Sequence, residues 1–212
     1  SFDIIRTESC RRVISVDRES RLVRVEAGIR WGDLQDELQT RGLSLERYSL
    51  YPSTATVGGL LSRRRPVHRE MWDHSIRTGC VALAAASPQT GEYNYIAAPR
   101  KASGPDIRWL YLGAEGLLGA ILDATLVAWK PSDARLYIHR GDIRSASAFY
   151  KYLHDIGVRV TWAHWSSDGL QCAVHEHERV LKGIERELAT TDFEYETAGR
   201  NEVSVVRREL EV

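Results

Sequence analysis

Three glycines fall within seven residues at Gly113-Ala114-Glu115-Gly116-Leu117-Leu118-Gly119, and the segment runs straight into an apolar stretch that ends at Lys130-Pro131. Glycine takes backbone conformations closed to other residues and lets main chain come close to another chain or to a ligand. The segment therefore predicts a tight loop feeding a strand from Gly119 to Lys130. It excludes a Rossmann unit, because the spacing is not GxGxxG and the glycines precede a strand instead of following one. A weaker feature lies upstream, where Thr56-Val57-Gly58-Gly59 closes a polar, small-residue stretch that starts at Tyr51. Adjacent glycines there can point amide N–H groups at an anionic ligand. Each feature alone is more often structural than functional; the two together, in this order, say more.

Ahead of these glycines the chain reads as β structure closed by a helix. Arg12–Val16 and Leu22–Glu26 are β-branched runs joined by Asp17-Arg18-Glu19-Ser20, a hairpin with turn chemistry between its arms. Trp31, Leu34 and Leu38 recur at helical spacing, and Arg41-Gly42 stops the helix, glycine taking the left-handed C-terminal position. Val81–Ala86 and Tyr93–Ala97 form a second hairpin across Gln89-Thr90-Gly91-Glu92, and Asp106–Leu112 reads as a short helix. After Pro131 the rhythm changes: strand Arg135–His139, helix Ile143–Ile156 stopped by Gly157, strands Val158–Trp165 and Leu170–His175 joined at Ser166–Gly169. A helix marked by Val180, Ile184 and Leu188 and a strand at Phe193–Glu196 complete the order βαββαβ, the ferredoxin-like pattern. The expectation is an α+β chain with a first domain over 1–131 and a small ferredoxin-like domain over 132–212.

Composition removes several function classes. Lys+Arg and Asp+Glu both number 29, so the chain lacks the basic surplus of a nucleic-acid binder. No run approaches a membrane span, and Ser1-Phe2-Asp3 does not open a signal peptide. Cys10, Cys80 and Cys172 are far apart, odd in number and without a CxxC pair, which reads as three reduced, mostly buried thiols in a cytoplasmic protein.

The motifs resemble the FAD-binding domain of the vanillyl-alcohol oxidase family, also called the p-cresol methylhydroxylase (PCMH) type. Val23-Arg24-Val25-Glu26-Ala27-Gly28 followed by Trp31-Gly32-Asp33-Leu34 is similar to that family's V-V-E-A-G segment and the leucine after it. Thr56-Val57-Gly58-Gly59 resembles its T-V/I-G-G loop. Ala102–Asp106 with Leu112–Ile121 resembles its D-L, then G-S-E-G-T-L-G-I/V-I segment, the most specific of the three. The resemblance covers roughly Ile14 to Pro131 and implies FAD, held by backbone around the two glycine loops. Thr56, Val57, Gly58, Gly59, Gly116, Gly119 and Ile121 carry over as cofactor contacts, with Ser53 added for its hydroxyl just before the loop. Glu115 reads either as a contact or as a residue that holds the loop's own backbone.

Three departures go with the resemblance. The family's domain usually begins with a βαβ subdomain carrying another phosphate loop and, in flavinylated members, the covalent histidine; here the match begins after that point, which implies a missing N-terminal FAD subdomain or a partner chain. The double glycine is followed by Leu60-Leu61-Ser62-Arg63-Arg64-Arg65-Pro66 instead of small residues. The stretch after Asp133 is shorter than the family's substrate domain. Arg63, Arg64, Arg65 and Arg69, with His68 and His74, read either as neutralising the FAD pyrophosphate or an anionic substrate or as a solvated basic loop. His74 is the one candidate base. His164, His175 and His177 lack a metal-site spacing, so no metal is expected. The resemblance implies an FAD-dependent oxidoreductase that takes hydride from a C–H or CH–OH group of a small organic substrate; the alternative is a non-catalytic scaffold on the same fold.

Overall fold

The computed structural model describes residues 7, 9–45, 51–64, 75–87, 91–95, 106–166 and 169–199. They fall into two compact units, one drawn from the residues up to Lys130 and one from Pro131 onward.

The first unit is a five-stranded antiparallel sheet. β1 (Val13–Asp17) and β2 (Leu22–Glu26) form the expected hairpin. Its turn is set by the Asp17 carboxylate, which accepts the amides of Glu19 at 2.9 Å and Ser20 at 3.1 Å; those donors hold its pKa below the usual carboxylate value. β3 (Cys80–Ser87) and β4 (Gly91–Tyr95) form the second hairpin. The strand after the glycine-rich loop, β5 (Ala120–Val127), enters between the hairpins, giving the order β1-β2-β5-β3-β4. Ala124 of β5 lies opposite Val25 on one side and Leu83 on the other, and all three are buried. Arg24 grips Asp123 with two hydrogen bonds of 2.8 Å across the β2–β5 seam.

Helix α1 (Trp31–Thr40) buries Trp31, Leu34 and Leu38, the three residues whose spacing announces it. It ends at the expected glycine: Gly42 has φ +71°, its amide donates to Gln39, and the Leu43 amide donates back to Leu38 at 2.9 Å. Trp31 meets Tyr51 edge-on with ring centroids 5.1 Å apart. The buried Tyr51 hydroxyl accepts the amide of Ile76 at 2.8 Å, which opens the short helix α3 (Ile76–Gly79). Helix α2 (Val57–Ser62) occupies what the sequence reads as loop, and Arg108–Tyr111 forms the short α4.

The second unit follows the order β6 (Asp133–His139), α5 (Ile143–Asp155), β7 (Val160–Ser166), β8 (Gly169–Glu176), α6 (Glu178–Leu188) and β9 (Tyr195–Ala198). Its antiparallel sheet runs β7-β8-β6-β9, so the two strands that follow loops from helices lie at the edges and the ferredoxin-like expectation holds. Tyr137, Phe149, Leu153, Cys172, Val174, Leu181 and Leu188 make the core beneath the helices, and Ala134, Leu136, Trp162 and Ala173 pack on the other sheet face. Trp162 is fully buried and Trp165 is 40% exposed, as an odd separation along a strand requires. α5 stops at Gly157, φ +77°, with the Val158 amide bonded back to Leu153.

Cys80 and Cys172 are buried and Cys10 is exposed. Desolvation pushes both buried thiols up to about 12, so they stay protonated and unreactive near neutral pH. A thiol-specific chromogenic reagent is expected to titrate Cys10 in the native protein and the other two only in denaturant. Rapid reaction of a second native thiol would contradict that burial.

Candidate functional site

The two glycine motifs, more than 50 residues apart in sequence, are one substructure. At its start α2 is fixed to the end of β2. The Gly58 amide donates to Ala27 at 2.7 Å and the Val57 amide to Ile29 at 3.0 Å. Thr56 caps the helix, its Oγ1 accepting the Gly59 amide at 3.2 Å. At its end α2 is gripped by the downstream loop: the Gly113 amide donates to the carbonyl of Leu61 at 2.8 Å and the Glu115 amide to that of Ser62 at 2.7 Å. These bonds satisfy carbonyls that a helix C-terminus leaves without partners. The grip requires an unusual backbone path, with positive φ at Gly113 (+80°), Glu115 (+52°), Gly116 (+80°) and Gly119 (+144°). Glu115 thus does hold the loop, through its main chain.

Between α2 and this loop opens a cavity of about 680 Å³, within the size range of ligand pockets. Of the residues singled out in the sequence, Thr56, Gly58, Gly59, Gly116, Gly119 and Ile121 line it. Val57 does not: its side chain is fully buried. Ser53 does not either, and its carbonyl accepts the Gly32 amide. The wall also includes Thr7, Ala27, Ser62, Ala86, Glu115, Leu117 and Ala120. Ser62 would have been legible had α2 been read as a helix, since it lies four residues after Gly58 and shares its face; no sequence signal points to Thr7.

The glycines divide by what their missing side chains make room for. A Cβ on Gly58 would lie 2.7 Å from the Cβ of Ala27, and one on Gly119 would lie 2.3 Å from the carbonyl oxygen of Ala86. Both serve close packing against strands. A Cβ on Gly59 would meet only Thr56 Oγ1, at 3.0 Å, and one on Gly116 would meet nothing within 4 Å. These two are the positions where backbone lies open to a ligand.

Among the described residues the wall contains one charged side chain, Glu115, and no basic one. Among the described residues the amides of Gly116 and Leu118 have no acceptor. A ligand here would therefore meet main-chain donors and apolar surface, including Leu117, which is 85% exposed. Arg63 and Arg64 are exposed and stand outside the cavity wall. Arg65, His68, Arg69 and His74 lie outside the described residues.

Of the second unit's histidines, the three weighed as metal ligands, His164, His175 and His177, have separate local surroundings. His175 is buried, with Nδ1 2.9 Å from Thr161 Oγ1. The Thr161 hydroxyl spends its proton on the Ala173 carbonyl, so His175 is the donor. His177 caps α6 by accepting the Arg179 amide, and His164 is half-buried on β7. Among the described residues no three His, Cys, Asp or Glu side chains converge as a metal site, and no helix is long and apolar enough to cross a membrane.

Comparison with known proteins bears on this site. Residues 4–92 match the family described as FAD binding domain. Over 115 residues the chain is 29% identical to the alkyldihydroxyacetonephosphate synthase of Caenorhabditis elegans, a match that spans 54% of this chain and 19% of that protein. Two crystal structures of alkyldihydroxyacetonephosphate synthase share its fold, with TM-scores of 0.76 and 0.71 at 16% identity; they match 96% and 92% of this chain. The chain spans 46% and 42% of those structures, and about a fifth of the curated relative. Fold, motif order and matched segment agree: residues 4–92 match an FAD binding domain, FAD is the cofactor of that domain, and the fold is that of the PCMH-type FAD-binding proteins.

Proposed function

We propose that this chain contributes part of the FAD site of a flavin-dependent oxidoreductase acting on a C–H or CH–OH group of a small organic substrate, in the cytoplasm. The observation that carries the reading is the cavity between α2 and the Gly113–Gly119 loop, with open backbone at Gly59 and Gly116. FAD, when bound, supplies a two-electron acceptor; the protein positions and tunes it. Here Thr56 fixes the start of α2, the Gly113 and Glu115 amides fix its end, and Gly59 and Gly116 leave main chain within reach of a ligand. Among the described residues the cavity wall offers no cation.

A second reading comes from the name shared by the matched relatives: a synthase whose product is an alkyldihydroxyacetonephosphate. The scaffold reading is the one that loss of flavin binding would favour.

The test is titration of FAD into the longest natural form of the protein, followed by visible absorption and flavin fluorescence. Saturable binding is expected. Gly59→Leu is expected to weaken it by at least about tenfold, the equivalent of about 1.4 kcal/mol, with an unchanged circular dichroism spectrum. Replacing Arg63 and Arg64 with Ser is expected to leave both affinity and stability unchanged, within about 0.5 kcal/mol. Absence of flavin binding by the unaltered protein would overturn the proposal. Equal affinity in a folded Gly59→Leu variant would move the ligand out of this cavity.

A further inference from the structure

His139 ends β6 and is buried at 3% exposure. Its ring stacks on Phe149 at a centroid distance of 5.0 Å and an angle of 14°, and Phe193 meets it edge-on at 6.0 Å. Nδ1 lies 2.7 Å from the carbonyl oxygen of Glu194. A carbonyl only accepts, so Nδ1 carries the proton and Nε2 of the neutral ring holds the free lone pair. The Ser145 hydroxyl donates to that lone pair.

Ser145 is the third residue of α5, but the helix does not need its hydroxyl. Asp142 is the cap, its carboxylate accepting the Ser145 amide at 2.8 Å. Ser145 is half-buried and Gly141 beside it is exposed. A Cβ at Gly141 would lie 2.7 Å from Ser145 Oγ and 3.0 Å from His139 Nε2. Only glycine fits at 141, where the main chain packs against the hydroxyl and the imidazole, and the half-buried Ser145 keeps part of its surface in solvent.

We propose that Ser145 and His139 form an activated serine–histidine pair, a nucleophilic site for small activated esters in the second unit. The arrangement has the three parts such a site requires: a hydroxyl, a base in hydrogen-bond contact with it, and an acceptor that orients the base and fixes its tautomer. Ser145 Oγ attacks the ester carbonyl carbon as its proton passes to His139 Nε2. An Oγ–C bond forms, the bond from carbonyl carbon to the alcohol oxygen breaks, and the alcohol leaves with the proton from Nε2. Water, deprotonated by the same nitrogen, then releases the carboxylic acid and restores the hydroxyl. First-turn amides of a helix have no intrahelical acceptor, and those of Ile143 and Arg144 lie in the same turn as donors for charge that develops on the carbonyl oxygen.

The test uses the full-length protein and a fluorophosphonate probe, with the labelled residue located by peptide mass spectrometry. The probe forms an Oγ–P bond and loses fluoride, which leaves with the serine proton. The expected result is a dominant adduct at Ser145, absent from Ser145→Ala and about a hundredfold slower in His139→Gln, the scale of general-base assistance. Ser20 and Ser147, both exposed, serve as internal controls in the unaltered protein. Reaction of Ser145 no faster than these two, or reaction of no serine, would overturn the proposal even where His139→Gln does not fold. Equal labelling in a folded His139→Gln variant would overturn it as well.

Discussion

Gly119→Val is expected to destabilise the first unit by about 2–6 kcal/mol in all. At φ +144° the position is closed to side chains that branch at Cβ. The added Cβ would stand 2.3 Å from the Ala86 carbonyl oxygen, 3.0 Å from its carbon and 3.2 Å from Ser87 Cα. All three are backbone atoms of β3, which is hydrogen-bonded on both sides, so no side-chain movement relieves the clash. Strained backbone costs about 1–3 kcal/mol and overpacking about 1–3 kcal/mol more, a large share of the roughly 5–15 kcal/mol that holds a domain. Urea unfolding and amide exchange along β3 and β5 measure it. A variant with the parent midpoint would show that the loop re-routes without loss. Loss of flavin binding in this variant reports unfolding, whereas loss at Gly59 reports the cavity.

Phe149→Ala is expected to destabilise the second unit by about 3–5 kcal/mol, the range for removing a large buried aromatic. Phe149 is fully buried. Besides the His139 stack it meets Phe193 at 5.4 Å and 77° and Tyr195 at 6.2 Å. It therefore joins α5, β6 and the segment leading through β9. The measurement is the shift of the urea midpoint for this unit; a change below about 1 kcal/mol, typical of a surface site, would mean that the cluster repacks around the hole.

Much of this architecture is legible in the residues because local and tertiary demands coincide. Leu34 and Leu38 mark α1 by period, Gly42 and Gly157 mark helix ends by chirality, and β-branched runs mark the strands. The missed elements are those where the demands part. Val57–Ser62 contains two adjacent glycines, poor helix formers, and it is helical because Thr56 caps it and a distant loop holds its last carbonyls. Ile76–Gly79 is a single turn, too short to show a period. The candidate site was legible as a list of glycines, but their division was not. Gly59 and Gly119 look alike in sequence, and only the positions of Thr56 and Ala86 show that one faces open space and the other a strand. Histidine roles were equally hidden, since His139 acquires its partners from residues six and 55 positions away.

The placement of β5 between the two hairpins has a temporal consequence. β1–β2 and β3–β4 are each local and can close as soon as they are made, but they share no edge; Arg24 and Asp123, 99 residues apart, mark the seam that joins one of them to β5. Closing so long a segment costs more entropy than closing a hairpin and slows folding. On a ribosome adding about 5–20 residues per second, two exposed half-sheets wait several seconds with unpaired edges before Val127 emerges. That interval is when the nascent chain is most open to mispairing, and a chaperone that shields strand edges would act there.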